Sequence, residues 1–502
     1  MKNLREIIWR LPLAVIGGGL GLYAFPTENI WILGLHIPAV ISLSVMGAGF
    51  WLATLLGFVS GLAFYVSHIE WISLYLGPVP LIALATLQSL FFAPAVGAAA
   101  LLYKKSAKLR YGSAIYAVGF ASIWTLREWV ANNFPYGGFP WSRLAMTAAN
   151  SPMVNWVFWG GMSLLSFFVA LCGAIIATEV KRLKRTKLRV SFISIGAFVS
   201  ILLLPLLSPL ASATEVSGEL KVAAVQGNAK AGLFSREPRG TILENHIEAT
   251  LSGVGDSEVD LIVWPENASD INPLGDASAR AKIEDIANRY NADFVFGTIT
   301  ERNGEVFNST VLWDSKLGPT DYYDKKRPVP FAEYVPDREF WRSLAPELID
   351  LVPRGYSFGV RDGIYQLRNT VAGTLICFEI AEDDIPRDLA TQGAELILSQ
   401  TNNADFGYSD ETWQQSAIAK LRAIETGRTV INISTVGHSA IYRFDGSIQA
   451  ELPWYTAGAM VETVELRQGI TPGSALGGWF DLINAIVGMS FIAFSLGYGR
   501  KR

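Results

Sequence analysis

Cysteine and histidine are scarce in this chain of 502 residues, which holds two cysteines and four histidines. His36, His68, His246 and His438 fall in no metal-ligand spacing, so no zinc site is expected. Cys172 lies in a long apolar segment where nothing suggests a partnership with Cys377. A structural disulfide is therefore not expected, and a nucleophilic thiol becomes the reading to test. Charge is sparse as well: 17% of residues are charged against 50% hydrophobic, and the mean hydropathy is positive. This balance, in a chain longer than one ordinary domain, is that of a membrane protein with a soluble part. Neither an internal repeat nor a low-complexity tract is present.

The charge that is there falls unevenly. Met1 to Leu210 carries 15 Lys+Arg and five Asp+Glu, a net +10, and Arg500, Lys501 and Arg502 add +3. With a total of −4, the stretch between them holds −17. Two physically different regions are joined.

A bilayer core takes about 20 apolar residues per helix. Spans are expected at Leu11 to Phe25, Ile30 to Val45, Ala48 to Val66, Val79 to Leu102, Gly112 to Val130, Val154 to Ala177 and Val190 to Leu207, with a weaker eighth at Leu482 to Leu496. The first is read as a span and not a removable leader, because no small-residue cleavage site leads into a soluble stretch. Lys2, Arg5 and Arg10, then Lys104, Lys105, Lys108 and Arg110, then Lys181 to Arg189, and finally Arg500 to Arg502 all fall on one side of such a count. By the positive-inside rule that side is the cytoplasm, and the acidic block lies outside it. The run Lys181 to Arg189 sits between spans, so it is read as an anchor at anionic headgroups and not as a nucleic-acid site. The glycines from Gly17 to Gly21 are read as allowing close helix packing.

Near the outer face, the loop Ala131 to Ser151 with Asn132, Asn133, Tyr136, Trp141 and Arg143 has interfacial composition. Arg127, Glu128, His68 and Glu70 lie close to span ends, either as interfacial anchors in local pairs or as a polar rim to a lipid-entry cleft. Ser208 to Gly218 reads as a linker. The domains are then residues 1–210, with about seven transmembrane helices, 219–475, and 479–502, a last helix with a basic tail.

From Glu219 onward, short β-rich runs alternate with helical ones. Strands are expected at Leu220 to Val225, Leu261 to Trp264, Asp293 to Thr298, Ser309 to Trp313, Val371 to Ile376, Leu396 to Ser399 and Thr429 to Ile433. Helices are expected at Ser278 to Tyr290, Ala381 to Gln392 and Thr412 to Thr426. The alternation indicates an α/β layered domain with its own core.

Three polar positions sit at the ends of such runs. Glu266 follows Pro265 in VWPENA, Lys325 lies in the proline-stiffened YYDKKRPVPFAEY, and Cys377 ends its strand in GTLICFEI. A carboxylate can take the proton of a thiol, the thiolate is a strong nucleophile, and a fixed ammonium can stabilise the oxyanion that follows. Together the three groups would support acyl transfer through a thioester. Composition and spacing leave open that Cys377 is only a small buried apolar residue and that Glu266 and Lys325 are surface charges.

VWPENA, YDKKRPVPFAEY, LICFEI and TNNADFG, in this order, resemble the motifs of the nitrilase (carbon-nitrogen hydrolase) superfamily. With several apolar spans before that domain and one after it, the chain is similar to the apolipoprotein N-acyltransferase family. The resemblance includes VQGN at Val225 to Asn228 and GFPW at Gly138 to Trp141. It implies an αββα sandwich, with Glu266 as general base, Lys325 as oxyanion-stabilising cation and Cys377 as nucleophile. Lys326 is a rival for the lysine role, but Lys325 stands eight residues before Glu333, the family's spacing. Glu333 would orient the lysine or the thiol, and Glu379 would support the loop behind the nucleophile. The implied donor is a phospholipid and the implied acceptor a diacylglyceryl-modified apolipoprotein, with no cofactor and no metal. The protein would act as a monomer in the bacterial cell membrane, its catalytic domain on the extracytoplasmic side. Departures from the family pattern are Phe378 after the nucleophile, Asp405, Ala332 and Phe234. Two other readings share the same residues: a membrane-tethered amidase that passes its acyl group to water, and a non-enzymatic membrane scaffold.

Overall fold

The computed structural model describes residues 2–186, 191–231, 237–352 and 355–497, so Phe234, Lys187, Arg189, Val190 and Arg500 to Arg502 lie outside the described residues. The chain divides into two units, Met1–Ser208 with Leu476–Arg502, and Pro209–Ala475.

In the first unit, each of the eight expected spans falls on a helix. Glu6–Ala24, Phe50–His68, Pro78–Ser106, Trp156–Leu183 and Pro472–Leu496 are long and apolar enough to cross a bilayer. Trp31–Val45 and Phe192–Leu207 are apolar but shorter, and Gly112–Asn133 carries Arg127 and Glu128 in its second half. The final helix starts at Pro472, ten residues before the expected Leu482. Close packing rests on glycine: a Cβ at Gly18 would lie 2.3 Å from the Ser60 carbonyl oxygen.

The polar groups of this unit are less exposed than an interfacial reading implies. Asn133 and Tyr136 are exposed, but Trp141 and Arg143 are buried, and Arg143 donates to Ser163. Arg127 is likewise buried, donating to Tyr65 Oη at 2.7 Å, while Glu128 accepts from Trp124 Nε1 at 2.9 Å and from the Leu144 amide at 3.0 Å. An unpaired charge in an apolar bundle is costly, so these side chains turn inward to one another.

Among the described residues the second unit has twelve strands: β1 (Glu215–Gln226), β2 (Leu261–Val263), β3 (Asp293–Arg302), β4 (Glu305–Asp314), β5 (Gly318–Asp324), β6 (Ile364–Gln366), β7 (Val371–Ile376), β8 (Leu396–Thr401), β9 (Thr429–Ser434), β10 (Ser439–Tyr442), β11 (Ile448–Leu452) and β12 (Gly458–Gln468). They form two six-stranded sheets, in the orders β12-β1-β2-β3-β4-β5 and β11-β10-β9-β8-β7-β6. The central strands β1-β2-β3 and β7-β8-β9 are parallel, and the outer pairs are antiparallel.

Period-two alternation builds the layers. Leu220, Val222 and Ala224 of β1 pack with Leu396, Leu398 and Ile431 of the facing sheet. Ala223 and Val225 point the other way, onto Leu243, Ile283 and Ile286 of the helices Thr241–Val254 and Ala277–Tyr290. Helices Asp384–Thr391 and Glu411–Thr426 cover the second sheet. The result is an αββα sandwich.

Two expectations need correction. Cys377 does not end a strand: β7 stops at Ile376, and Cys377 opens a tight turn with φ +55°. The expected helix from Ala381 starts later, at Asp384, because Cys377–Ala381 is taken up by that turn. Its geometry is held by Glu379, whose Oε2 accepts the Ile376 amide at 2.8 Å.

Candidate active site

Glu266, Lys325 and Cys377 are set by the ends of three strands in two sheets. Glu266 follows β2 after Pro265, and its backbone passes so close to β3 that a Cβ at Gly297 would lie 2.6 Å from Glu266 Cα. From the facing sheet, Gln400 Nε2 donates to the Trp264 carbonyl at 2.6 Å and ties this corner to β8. Lys325 follows β5, its amide bonded to the Asn308 carbonyl at 2.9 Å.

The side chains converge. Lys325 Nζ lies 2.9 Å from Glu333 Oε2 and 3.5 Å from Glu266 Oε1. Asn308 Nδ2 bridges the two carboxylates, at 2.7 Å from Glu266 and 2.8 Å from Glu333. The Cys377 thiol lies near enough to both Glu266 and Lys325 to feel their charges. Glu266 and Lys325 are almost fully buried, whereas Cys377 keeps part of its surface open. One ammonium therefore serves two carboxylates beside a half-buried thiol.

Burial sets the protonation states. It pushes the Glu266 carboxyl above its usual range, with the Lys325 charge opposing. Burial alone would lower the Lys325 ammonium, but Glu333 and Glu266 outweigh it and hold the group protonated. The Cys377 thiol is pushed up to about 12 by burial, with Glu266 adding and Lys325 opposing. The sulfur is thereby held as a thiol, which could act as a nucleophile only after handing its proton to a neighbour.

Glu379 lies behind the turn. Its Oε1 accepts from Tyr323 Oη at 2.9 Å and from the amides of Lys326 and Arg327 at 2.7 and 3.1 Å. It thus links the ends of β5 and β7. The Lys326 side chain turns away to Asp362, at 2.6 Å, which leaves Lys325 as the lysine of the cluster. Phe378 is half-buried in the turn.

Other groups around the sulfur were not apparent in the sequence. Asn308 sits in mid-strand, and only the fold brings it to Glu266. Gln415 Nε2 lies 3.7 Å from Cys377 Sγ, and Gln415 connects through Asn403 to Glu411. Glu411 is buried, which pushes its carboxyl up to about 8. The TNNADFG motif marks the neighbourhood, but helix spacing alone does not say which of Glu411, Thr412 and Gln415 faces the thiol.

Two stacked sheets between helix layers define the class, and the profile of the Carbon-nitrogen hydrolase family matches residues 221–470. The Apolipoprotein N-acyltransferase N-terminal domain profile matches residues 17–175. Among curated proteins, the apolipoprotein N-acyltransferase of Mycolicibacterium smegmatis is 29% identical, over 96% of this chain and 84% of its own. That of Azotobacter vinelandii is 29% identical over 92% and 90%. Among solved structures, an amidase from Nesterenkonia sp. aligns with 52% of this chain and 94% of its own, at 16% identity and a TM-score of 0.37. The chain belongs to the apolipoprotein N-acyltransferase family, within the carbon-nitrogen hydrolases.

Proposed function

We propose that this protein moves a fatty acyl group from a membrane phospholipid to the α-amino group of an S-diacylglyceryl-cysteine at a lipoprotein N-terminus, through a thioester on Cys377. The observation that carries this reading is the buried cluster in which the Lys325 ammonium lies 3.5 Å from Glu266 and 2.9 Å from Glu333, near a thiol set on a left-handed turn. The name shared by the relatives supplies the acceptor class.

Glu266 takes the thiol proton as sulfur bonds to the donor's ester carbonyl carbon, and the carbonyl electron pair moves onto oxygen. Lys325 stabilises that oxyanion. Collapse breaks the ester C–O bond, and Glu266 returns the proton to the departing lysophospholipid alcohol. The acceptor amine then attacks the thioester, loses a proton to Glu266, and displaces the sulfur, which is reprotonated. Glu333 holds Lys325, and Glu379 holds the turn that presents the sulfur. All these groups come from one chain, consistent with a monomer. The catalytic unit works outside the cytoplasm, a placement supported by the basic residues of the alternate loops.

Intact mass of detergent-purified protein after incubation with phospholipid tests the reading. Wild type should gain a hydroxylamine-labile fatty-acyl mass that Cys377→Ser lacks, and a diacylglyceryl-cysteine peptide should remove it. No adduct with any phospholipid would sink the lipid-donor step, and release of free acid without acceptor would favour the amidase.

A further inference from the structure

Besides Glu266 and Lys325, Cys377 has near it a chain of buried polar side chains from β8 and the residues just after it, from the end of β9 and from the helix Glu411–Thr426. Thr401, Asn403, Glu411, Gln415 and Ser434 are all nine-tenths or more buried.

The direction of this chain is fixed by its far end. The Gly437 amide donates to Ser434 Oγ at 2.8 Å, and Ser434 Oγ donates to Asn403 Oδ1 at 2.5 Å. Asn403 Nδ2 therefore faces outward, to Glu411 Oε2 at 2.7 Å and Gln415 Oε1 at 2.8 Å. Flipping Asn403 would set its carbonyl oxygen against both of those oxygens. Gln415 Oε1 also accepts from Thr401 Oγ1 at 2.7 Å. With its oxygen doubly engaged, Gln415 can only present Nε2 to the sulfur, 3.7 Å away, which is hydrogen-bond range for sulfur.

We propose that Gln415 is a further catalytic residue: its amide N–H donates to Cys377 Sγ, aims the thiol at Glu266 and stabilises the sulfur whenever it carries negative charge. Thr401, Asn403 and Glu411 are positioning residues that fix the donor's direction. The inference rests on the reading that Cys377 is the nucleophile. It applies to both half-reactions, since sulfur gains charge when it loses its proton to Glu266 and again when the acceptor amine displaces it from the acyl carbon. Charged or titratable groups acting on Sγ are Glu266, Lys325 and Glu411; Gln415 adds a neutral donor that needs no proton of its own.

The test is the pH dependence of Cys377 alkylation by iodoacetamide in the full-length detergent-purified protein. Peptide mass separates it from the only other cysteine, Cys172. Gln415→Met removes the donor. Gln415→Glu keeps the shape and the bonds from Thr401 and Asn403, but turns an acceptor toward sulfur. At pH 7.5 alkylation should slow about threefold in Gln415→Met and about tenfold or more in Gln415→Glu, with the midpoint moved upward in the same order. A merely structural role predicts the opposite order, because the isosteric variant disturbs packing least. Both are measured on protein that elutes at the wild-type volume with a melting temperature within a few degrees of wild type. Wild-type profiles in both variants, or a larger shift in Gln415→Met, would overturn the assignment. Alkylation needs no lipid, so a shifted profile in protein that never forms an acyl adduct leaves the role of Gln415 intact and sinks only the transferase reading.

Discussion

Lys325 is held more tightly by Glu333 than by Glu266, with Nζ 2.9 Å from the first and 3.5 Å from the second. The Val329 amide fixes Glu333 from behind, donating to the same Oε2 at 2.7 Å. Glu333 is thus the nearer carboxylate to the ammonium, and in the proposed mechanism this leaves Glu266 freer to accept a proton. Glu333→Gln should let Lys325 settle on Glu266 and lower acyl transfer about 100-fold, with less effect on folding. Single-turnover acylation kinetics together with melting curves separate the two effects.

Removing the cation itself has a different cost. Lys325→Met leaves Glu266 and Glu333 facing each other in a buried site, and losing one partner of such a cluster typically costs about 3–5 kcal/mol. The variant should be inactive and melt well below wild type. Lowering the pH should restore part of its stability as the carboxylates protonate, but none of its activity.

Raised carboxyl pKa values give the folded protein a pH dependence of definite sign. Burial pushes Glu411 and Glu382 up to about 8, while unfolded glutamates titrate near their ordinary range. Between the two values the folded state binds more protons than the unfolded state, so stability falls as pH rises from about 5 toward 8. Glu411→Gln should flatten this slope and raise the melting temperature at pH 8. A steeper fall in the variant than in wild type would contradict the assignment.

Arg422 is buried against the turn that Cys377 opens. Its Nε donates to the Ile380 carbonyl at 2.9 Å, and Nη2 donates to the carbonyls of Ala381 and Glu382, each at 2.9 Å. Its Nη1 pairs with the buried Glu425, which also holds Arg387 at 2.7 Å. Arg422→Lys cannot reproduce this fork. It should destabilise the unit by about 3 kcal/mol and slow Cys377 alkylation, read by denaturant melts and peptide mass.

Gly297 permits the close passage of β3 behind Glu266. Gly297→Ala would set a Cβ 2.6 Å from both Glu266 Cα and the Pro265 carbonyl oxygen, so that corner must move. Acyl-enzyme formation should fall at least tenfold, since displacements of about 1 Å at reacting groups have effects of that size. An unchanged rate would show that the corner yields without moving the carboxylate.

The central strands were legible because they are short apolar runs buried on both faces; Leu261–Val263 and Thr429–Ser434 are buried throughout. The edge strands β5, β6, β11 and β12 were not, since their exposed faces mix polar and apolar residues and only pairing with a neighbour defines them. Arg143 and Trp141 were read as interfacial, because composition cannot tell a polar group at a membrane surface from one paired inside the bundle.

By itself, the sequence determined the division into an apolar helical part and an acidic α/β part, and it marked Glu266, Lys325 and Cys377, because segregated charge, hydrophobic period and strand-end motifs are local properties of the chain. Only the tertiary structure decided that Lys325 and not Lys326 faces the carboxylates, that Cys377 stands on a left-handed turn, and that Asn308 and Gln415 flank the site. These depend on the register of strands far apart in sequence, where a shift of one residue reverses which side chains point inward.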